Sequence, residues 1–311
     1  MTNYYVRSIS LGLLSAALLV AACETRAAGQ TTRPTTRRIK LWDVTPDVVE
    51  GKDTDTNPTE PTMDIYLPPP DRNTGTGIVV LPGGGYNHLS TTLEGTEIGN
   101  WLVSRGIAGF VVRYRHAPRY HNPIPLRDAQ RALRIARLRA DEFHISAKHV
   151  GVMGFSAGGH LAAWVSTRFD PGNPDAADPI DRQSSRPDFS VLIYPVITFT
   201  DAAYVHKGSR NALLASSDEA LWAQMSPEQH VTGETPPAFL VHGSADAVVP
   251  AENSILYYMA CHKNHVLAEL HILQSGKHGF GLALKDPALG VWPTLLVNWL
   301  NVNKWLNPPK S

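Results

Sequence analysis

Five short apolar runs constrain the fold of this chain more than any other feature of its sequence. Each is a near-continuous stretch of β-branched and aliphatic residues, and they lie at 77–82, 108–114, 149–155, 189–195 and 237–243. Strands that are buried on both faces have this composition, whereas half-exposed strands alternate apolar and polar residues. An alternating run at 62–67 and a late run at 267–273 extend the pattern. The set predicts a mostly parallel sheet with helices packed on both faces.

Helical patterns separate these apolar runs. Residues 126–143 place apolar side chains three and four apart, and residues 97–106 end on a glycine, which is typical of a helix end. Residues 290–306 predict a closing helix. The alternation of strands and helices predicts a single, doubly wound α/β domain over residues 39–311. We expect the five arginines of 126–143 to form a solvated face with local carboxylate partners.

The charge balance and the cysteine content exclude several classes of partner and cofactor. The 28 basic residues equal the 28 acidic ones, so no net field favours nucleic acid or an anionic membrane surface. The Asp- and Pro-rich stretch 169–188 predicts a solvated loop, because its aspartates do not follow the spacing of a calcium loop. We therefore expect no metal and no cofactor.

Besides Cys23 the chain has only Cys261, which we expect to be an inert buried thiol.

Residues 1–23 predict a signal peptide for export. The apolar run 9–22 follows a basic residue and is shorter than the about 20 residues that span a bilayer. It ends in VAAC, which resembles a bacterial lipoprotein signal, and the resemblance implies lipidation of Cys23 and a location in the periplasm or at the outer membrane. Ordinary cleavage near RAAGQ, with secretion, is the alternative. Residues 24–38 lack large apolar side chains and predict a flexible tether.

Ser156 lies in the pentapeptide Gly154-Phe155-Ser156-Ala157-Gly158, which has the pattern G-x-S-x-G. An apolar run precedes it and a helical pattern follows it. In a strand–turn–helix elbow the serine backbone is strained, and flanking glycines relieve the crowding. The helix N-terminus also favours a developing anion. The pattern predicts that Ser156 is a catalytic nucleophile, with ordinary turn glycines as the alternative interpretation.

A nucleophilic serine needs a base, and the base needs an orienting acid. With this elbow the three groups follow along the chain in the order Ser, Asp, His. Asp246 is the only carboxylate in the loop 242–250, and His278 lies in a glycine-flanked loop after the last apolar run. We expect three other histidines to be structural, because they lie on the helix after the serine, at a strand end and within a strand: His160, His242 and His271.

Hydrolysis also requires donors to the oxyanion of the tetrahedral intermediate. The glycine-rich stretch LPGGGYNHL follows the first buried run, and it predicts N–H donors at Gly84 and Gly85, with Ala157 as the third. A plain tight turn is the structural alternative. A phosphate-binding loop is disfavoured because neither G-x-x-x-x-G-K-[ST] nor G-x-G-x-x-G is present. The long segment 198–236 either lines the substrate pocket or forms a surface excursion.

Several of these stretches together resemble a known family. The resemblance covers roughly residues 60–305 and is carried by LPGGGYNHL, VVRYRHAP, DAQRALRIARLRADEFHIS, VGVMGFSAGGHLAAW, SPEQHVTGETPPAFLVHGSADAVVPAENS and AELHILQSGKHGFGL. The chain resembles secreted bacterial α/β-hydrolases of the acetylxylan esterase and carbohydrate esterase group, which are related to hormone-sensitive-lipase-like esterases. The resemblance implies a triad of Ser156, Asp246 and His278 and a glycine loop at the oxyanion hole. Lipase-type relatives carry histidine before the glycines, whereas this chain has Pro82 there, as the esterase branch does.

The expected activity is that of a metal-independent serine esterase that removes an acyl group, most simply acetate, from a decorated polysaccharide or oligosaccharide. A serine exopeptidase or amidase with the same triad is one alternative. A non-catalytic binding protein on a hydrolase scaffold is another, and such a chain should have lost part of the triad or of the oxyanion hole.

Overall fold

An eight-stranded sheet forms the centre of the computed structural model, which describes residues 35–49 and 58–306. The strands are β1 (Thr35–Lys40), β2 (Thr62–Leu67), β3 (Gly77–Leu81), β4 (Ala108–Arg113), β5 (Val150–Phe155), β6 (Ser190–Ile193), β7 (Ala238–Gly243) and β8 (Ala268–Leu273). Their order across the sheet is β1-β2-β4-β3-β5-β6-β7-β8. Strand β2 pairs antiparallel with both β1 and β4, and the five other pairs are parallel. The predicted mostly parallel sheet is confirmed.

Helices cover both faces of this sheet. They are α1 (Glu97–Ser104), α2 (Ile124–Leu138), α3 (Ala157–Thr167), α4 (Lys207–Leu214), α5 (Glu219–Gln224), α6 (Glu252–Lys263) and α7 (Trp292–Val302). Side chains of α2, α3 and α6 pack in one apolar cluster, and those of α1 and α7 pack in a second. Since the two clusters lie on opposite faces of strands buried throughout, the doubly wound arrangement is confirmed.

The first strand corrects one boundary predicted from the sequence. Residues 35–38, assigned above to the tether 24–38, belong to β1 and pair with β2. Arg38 Nε donates to Asp64 Oδ1 at 2.6 Å, so a polar segment without an apolar stripe is held in the sheet by its ladder and an ion pair. The remainder of the tether, 24–34, and the predicted signal peptide 1–23 lie outside the described residues.

The solvated arginine face with local carboxylate partners, predicted for residues 126–143, is present only in part. Arg139 pairs with Glu142 three residues away, and the exposed Arg127 pairs with Asp47. The three other arginines bind a distant loop instead: Arg131, Arg134 and Arg137. Arg131 is only 2% exposed and donates to Asp178 at 2.6 Å and to Asp181 at 3.0 Å. Arg134 binds Asp170 at 2.6 Å. The aspartates of the Asp- and Pro-rich loop therefore anchor it to α2. In the part of the chain that the structure describes, no group of three or more His, Cys, Asp or Glu side chains could hold a metal ion.

The segment 198–236 is ordered around two short helices, α4 and α5. The Phe199 ring stacks on the His160 ring with centroids 4.4 Å apart, and the Arg210 guanidinium lies 3.6 Å from the centroid of the Trp222 ring. These contacts fix the segment beside the carboxyl ends of the parallel strands.

Among the described helices, none has the length and apolar content needed to cross a bilayer. Cys261 is buried, and burial raises the pKa of its thiol to about 12.

Candidate active site

Ser156 occupies a strained turn between β5 and α3. Its backbone has φ 53° and ψ −119°, a region that side-chain-bearing residues rarely adopt. The backbone is nonetheless fully hydrogen-bonded: its N–H donates to the Ile193 carbonyl at 3.1 Å, and its carbonyl accepts from Val196 at 3.0 Å and His160 at 3.1 Å. The surrounding structure therefore maintains the strain, which is typical of functional sites.

The glycines on either side of Ser156 are required by close backbone contacts. A Cβ atom on Gly154 would lie 2.1 Å from the carbonyl oxygen of Gly158. A Cβ atom on Gly158 would lie 2.0 Å from the carbonyl oxygen of Leu81. Both distances are far below van der Waals contact, so the elbow packs against itself and against the end of β3. The turn and catalytic interpretations of the pentapeptide are thus compatible, because this tight turn is what presents the Ser156 side chain.

The structure brings the three predicted triad residues together. Ser156 Oγ lies 2.8 Å from His278 Nε2, and His278 Nδ1 lies 2.7 Å from Asp246 Oδ2. Since an ionised carboxylate can only accept, Nδ1 carries the proton and Nε2 is the acceptor for the serine hydroxyl. This is the protonation state that a general base requires. Ser156 and Asp246 are each 7% exposed, so the chain of hydrogen bonds is largely shielded from water.

The surroundings of Asp246 keep its carboxylate ionised and oriented. Oδ1 accepts from the N–H groups of Val248 and Val249, both at 2.9 Å. Oδ2 faces His278 and also lies 3.4 Å from His242 Nε2. Burial alone would raise the pKa of Asp246, but the interactions with His242, His278 and the Val249 N–H outweigh it and hold the pKa well below its usual range. A negative charge is therefore present beside His278 at neutral pH.

The glycine-rich loop after β3 lies across from the elbow. Gly84 has φ +132° and Gly85 has φ +63°, both in the region that favours glycine. A Cβ atom on Gly84 would lie 2.1 Å from the His88 carbonyl oxygen. Within residues 35–49 and 58–306, no protein acceptor receives a hydrogen bond from the N–H groups of Gly84, Gly85 or Ala157. These are the three donors predicted for the oxyanion, and their catalytic role stays a prediction.

A pocket of about 390 Å³ joins the glycine loop to the triad. It is lined by both apolar and hydrogen-bonding side chains, among them Asn87, Ser90, Leu93, His206 and Val248. This volume lies within the range typical of small-molecule sites. Because His206 comes from the segment 198–236, that segment does line the pocket, as hypothesised above.

His206 presents a donor to this pocket. Its Nδ1 accepts from the Ser209 N–H at 3.2 Å and so caps α4. The neutral ring therefore carries its proton on Nε2. Burial, followed by repulsion from His278 when that ring is protonated, lowers the pKa of His206, which favours this neutral form.

The other histidines considered in the sequence have structural partners. The ring nitrogens of His160 lie 2.8 Å from the Tyr86 hydroxyl and 2.8 Å from the Met225 carbonyl, and burial lowers the pKa of His160 to about 4. His271 lies 2.7 Å from Glu269 on β8. Neither side chain faces the pocket. His242, expected to cap a strand end, lies 2.8 Å from the Ser254 hydroxyl and 2.9 Å from the Val249 carbonyl, and it also lies 3.4 Å from Asp246 Oδ2.

Sequence reasoning missed two further residues at the site, Glu94 and Tyr194. Glu94 lines the pocket but is only 4% exposed, and Tyr194 is buried beneath His278. A signal for Glu94 was present: it lies four residues before Ile98, on the apolar face of the helical pattern that leads into α1. Nothing distinguished Tyr194 from the other apolar residues of its run.

Comparison with known proteins identifies a family and several relatives that this chain resembles. The BD-FAE family model matches residues 63–260. The acetylxylan esterase of Xylanibacter ruminicola is 39% identical over 217 residues, 68% of this chain. Endo-1,4-beta-xylanase B of Butyrivibrio fibrisolvens is 35% identical over 214 residues, 66% of this chain. The crystal structure of the acetyl ester-xyloside bifunctional hydrolase from Caldicellulosiruptor lactoaceticus matches with a TM-score of 0.81 at 40% identity, covering 87% of this chain and 97% of that one.

The match covers only 42% of the acetylxylan esterase and 32% of the xylanase, so this chain spans less than half the length of either curated relative. The solved hydrolase, by contrast, is covered almost completely. These similarities confirm the resemblance to the acetylxylan esterase group that the sequence motifs predict. Since the family model extends over well over half of the chain, from β2 into α6, and includes Ser156 and Asp246, the chain belongs to the BD-FAE family.

Proposed function

We propose that this chain is a serine carboxylic ester hydrolase that removes acetyl groups from a xylan-type polysaccharide or oligosaccharide. The observation that carries the proposal is the continuous hydrogen-bonded chain from Ser156 Oγ through His278 to Asp246. The names of the relatives support both the reaction class and the polysaccharide. No metal or cofactor takes part in the steps proposed below.

In the acylation step, Ser156 Oγ attacks the ester carbonyl carbon while His278 Nε2 takes the hydroxyl proton. Asp246 stabilises the imidazolium that forms, and it keeps the ring in the required orientation. The carbonyl oxygen becomes an oxyanion, for which the N–H groups of Gly84, Gly85 and Ala157 are the donors. As the intermediate collapses, His278 gives its proton to the departing alcohol oxygen, and the acyl group remains on Ser156.

In the deacylation step, His278 Nε2 takes a proton from water as the water oxygen attacks the acyl carbon. A second tetrahedral intermediate forms with the same three oxyanion donors. Its collapse breaks the bond to Ser156 Oγ, which recovers its proton from His278, and the carboxylic acid leaves. The enzyme returns to its starting protonation state with one ester and one water consumed.

The alcohol side of the substrate is proposed to lie against the polar wall of the pocket. The side chains of Asn87, Ser90 and His206 line it, and they offer amide, hydroxyl and imidazole groups to sugar hydroxyls. The His206 Nε2–H is a donor in a fixed direction, because Nδ1 is engaged with α4. Leu93 and Val248 supply the apolar surface that an acetyl methyl group requires.

A substrate panel tests this proposal. Purified enzyme should release acetate from acetylated xylan and hydrolyse p-nitrophenyl acetate. Its kcat/KM for acetylated xylo-oligosaccharides should exceed that for aminoacyl anilides by at least about 100-fold, a discrimination within reach of pocket contacts. Acetate from acetylated pectin and from small acetylated sugars, measured in parallel, ranks the alcohols. Faster cleavage of the anilides would assign the chain to the amidases, and no turnover of any substrate would favour a binding protein.

We also propose that the protein is exported, with the sequence of residues 1–23 as the support. A lipid on Cys23 would keep it in the periplasm or at the outer membrane, and ordinary signal-peptide cleavage would lead to secretion instead. Either location suits an enzyme that acts on extracellular polysaccharide.

A further inference from the structure

One buried acid at the site has no part in the mechanism above. Glu94 lies in a π-helical turn, Thr92–Thr96, a backbone form that is rare and often found at functional sites. Burial raises the pKa of its carboxyl group, and hydrogen bonds from Gly83 and Tyr194 oppose that effect. Burying a carboxyl group is costly, and an apolar side chain of similar volume is often the more stable choice. Stability alone therefore gives no reason for an acid at this position.

The two oxygens of Glu94 are bound to two different parts of the site. Oε2 accepts from the Gly83 N–H at 2.8 Å, and Gly83 immediately precedes the proposed oxyanion donors. A Cβ atom on Gly83 would lie 2.9 Å from Ser156 Cβ, so this glycine packs directly against the nucleophile. Oε1 accepts from the Tyr194 hydroxyl at 2.9 Å.

Tyr194 continues the connection to the histidine loop. Its hydroxyl oxygen accepts from the Gly281 N–H at 3.1 Å, three residues after His278. Its ring meets the imidazole of His278 edge-on, with centroids 5.1 Å apart. The backbone of Tyr194 has φ 38°, so the tyrosine is held in an unfavourable conformation directly after β6. A single chain of hydrogen bonds thus runs from Gly83 through Glu94 and Tyr194 to Gly281.

We propose that Glu94 is a positioning residue. It fixes the glycine-rich loop after β3 relative to Ser156 and, through Tyr194, it also fixes the loop that carries His278. The inference rests on the proposed esterase function and assigns a role that the triad does not include. Only a side chain with two acceptor atoms can bind the Gly83 N–H and the Tyr194 hydroxyl at once. A displacement of about 1 Å in such a site can cost about 100-fold in rate.

Two conservative variants test the two halves of the connection. Glu94→Gln retains the shape and one acceptor for Gly83, but it turns an NH₂ group toward Tyr194, whose own proton then loses its acceptor. Tyr194→Phe leaves the Gly83 bond to Glu94 intact and removes both hydrogen bonds of the Tyr194 hydroxyl, the one to Glu94 Oε1 and the one from the Gly281 N–H. For each variant we expect kcat for p-nitrophenyl acetate to fall about 10- to 100-fold with KM within about threefold of wild type, because the loops act mainly on the transition state.

Matched controls separate positioning from stability. Tyr257→Phe also removes a buried hydroxyl, one that has no hydrogen-bond partner in the described part of the chain, and Glu97→Gln changes an exposed glutamate in α1. Both should retain wild-type kcat. Assays are run well below the Tm of each variant, and circular dichroism confirms the folded state. If Glu94→Gln does not fold, Tyr194→Phe decides the test.

Three results would overturn the proposal. The first is a kcat within twofold of wild type in both folded variants, Tyr194→Phe and Glu94→Gln. The second is a rise in KM without a loss of kcat. The third is a double variant whose loss of kcat is the product of the two single losses. Multiplied losses would mean that the two residues act separately, whereas one connected chain predicts a double variant little worse than the worse single one. Failure of the esterase proposal itself is recognised independently, because Ser156→Ala would then retain activity.

Discussion

Replacement of Ser156 by alanine is expected to lower kcat for p-nitrophenyl acetate by at least about 10⁴-fold, since removal of the nucleophile from such a triad costs about that much or more. The substitution deletes the one protein atom that bonds to the acyl carbon in the proposed mechanism. Water could still attack with help from the oxyanion donors, and that route sets the residual rate. Initial rates at saturating ester, with the enzyme concentration determined by absorbance, provide the measurement.

The fold of Ser156→Ala should be retained, because the strained backbone of residue 156 is held by its bonds to Ile193, Val196 and His160 rather than by Oγ. We expect its Tm within about 4 °C of wild type, the shift that about 1 kcal/mol produces in a domain of this size. Ser217→Ala, at an exposed serine of the segment 198–236, is the matched control and should be fully active. Activity in folded Ser156→Ala comparable to the control would rule out the assignment.

Replacement of Asp246 by asparagine is expected to lower kcat by about 10³- to 10⁴-fold, in line with the cost of this change in other serine hydrolases. The asparagine amide can direct N–H groups at His278 Nδ1, which then becomes an acceptor and places its proton on Nε2. The ring in that tautomer cannot accept the proton of Ser156. The fixed negative charge that stabilises the imidazolium is lost as well. Steady-state kcat on p-nitrophenyl acetate and on acetylated xylo-oligosaccharide measures the loss.

Asp286 offers a closely matched control for this substitution. Its Oδ1 accepts from the N–H groups of Ala288 and Leu289 at 2.8 and 3.0 Å, the same local pattern that Asp246 forms with Val248 and Val249. Asp286→Asn therefore changes the turn without changing the triad. Equal activity losses in Asp246→Asn and Asp286→Asn would show that Asp246 matters only for its loop.

The sheet was predictable because its central strands are buried on both faces. Such strands can contain little besides apolar residues, so β3 to β7 appear in the sequence as runs whose limits match the structure closely. Strand β1 was not predictable in the same way. Its segment TTRRIK has no apolar stripe, and its place in the sheet depends on partners in β2, including Asp64, that no local pattern reveals.

The residues of the site likewise fall into those that the sequence indicates and those that it does not. Ser156, Asp246 and His278 were identifiable because the elbow, the loop ends and the chain order all limit where such groups can lie. Their mutual distances of 2.7 and 2.8 Å come from the folded sheet, which brings the ends of β5, β7 and β8 together. Glu94 and Tyr194 act through contacts between residues 100 positions apart, and such contacts leave no motif.

Formation of the covalent intermediate on Ser156 is tested most directly by mass spectrometry after reaction with a fluorophosphonate probe. The probe transfers its phosphonyl group to an activated serine oxygen with loss of fluoride, so each labelled residue gains a known mass. We predict one adduct per chain, on the peptide that contains Ser156, together with slower labelling of Asp246→Asn and none of Ser156→Ala. An unlabelled wild-type protein, or an adduct on any other residue, would contradict the account.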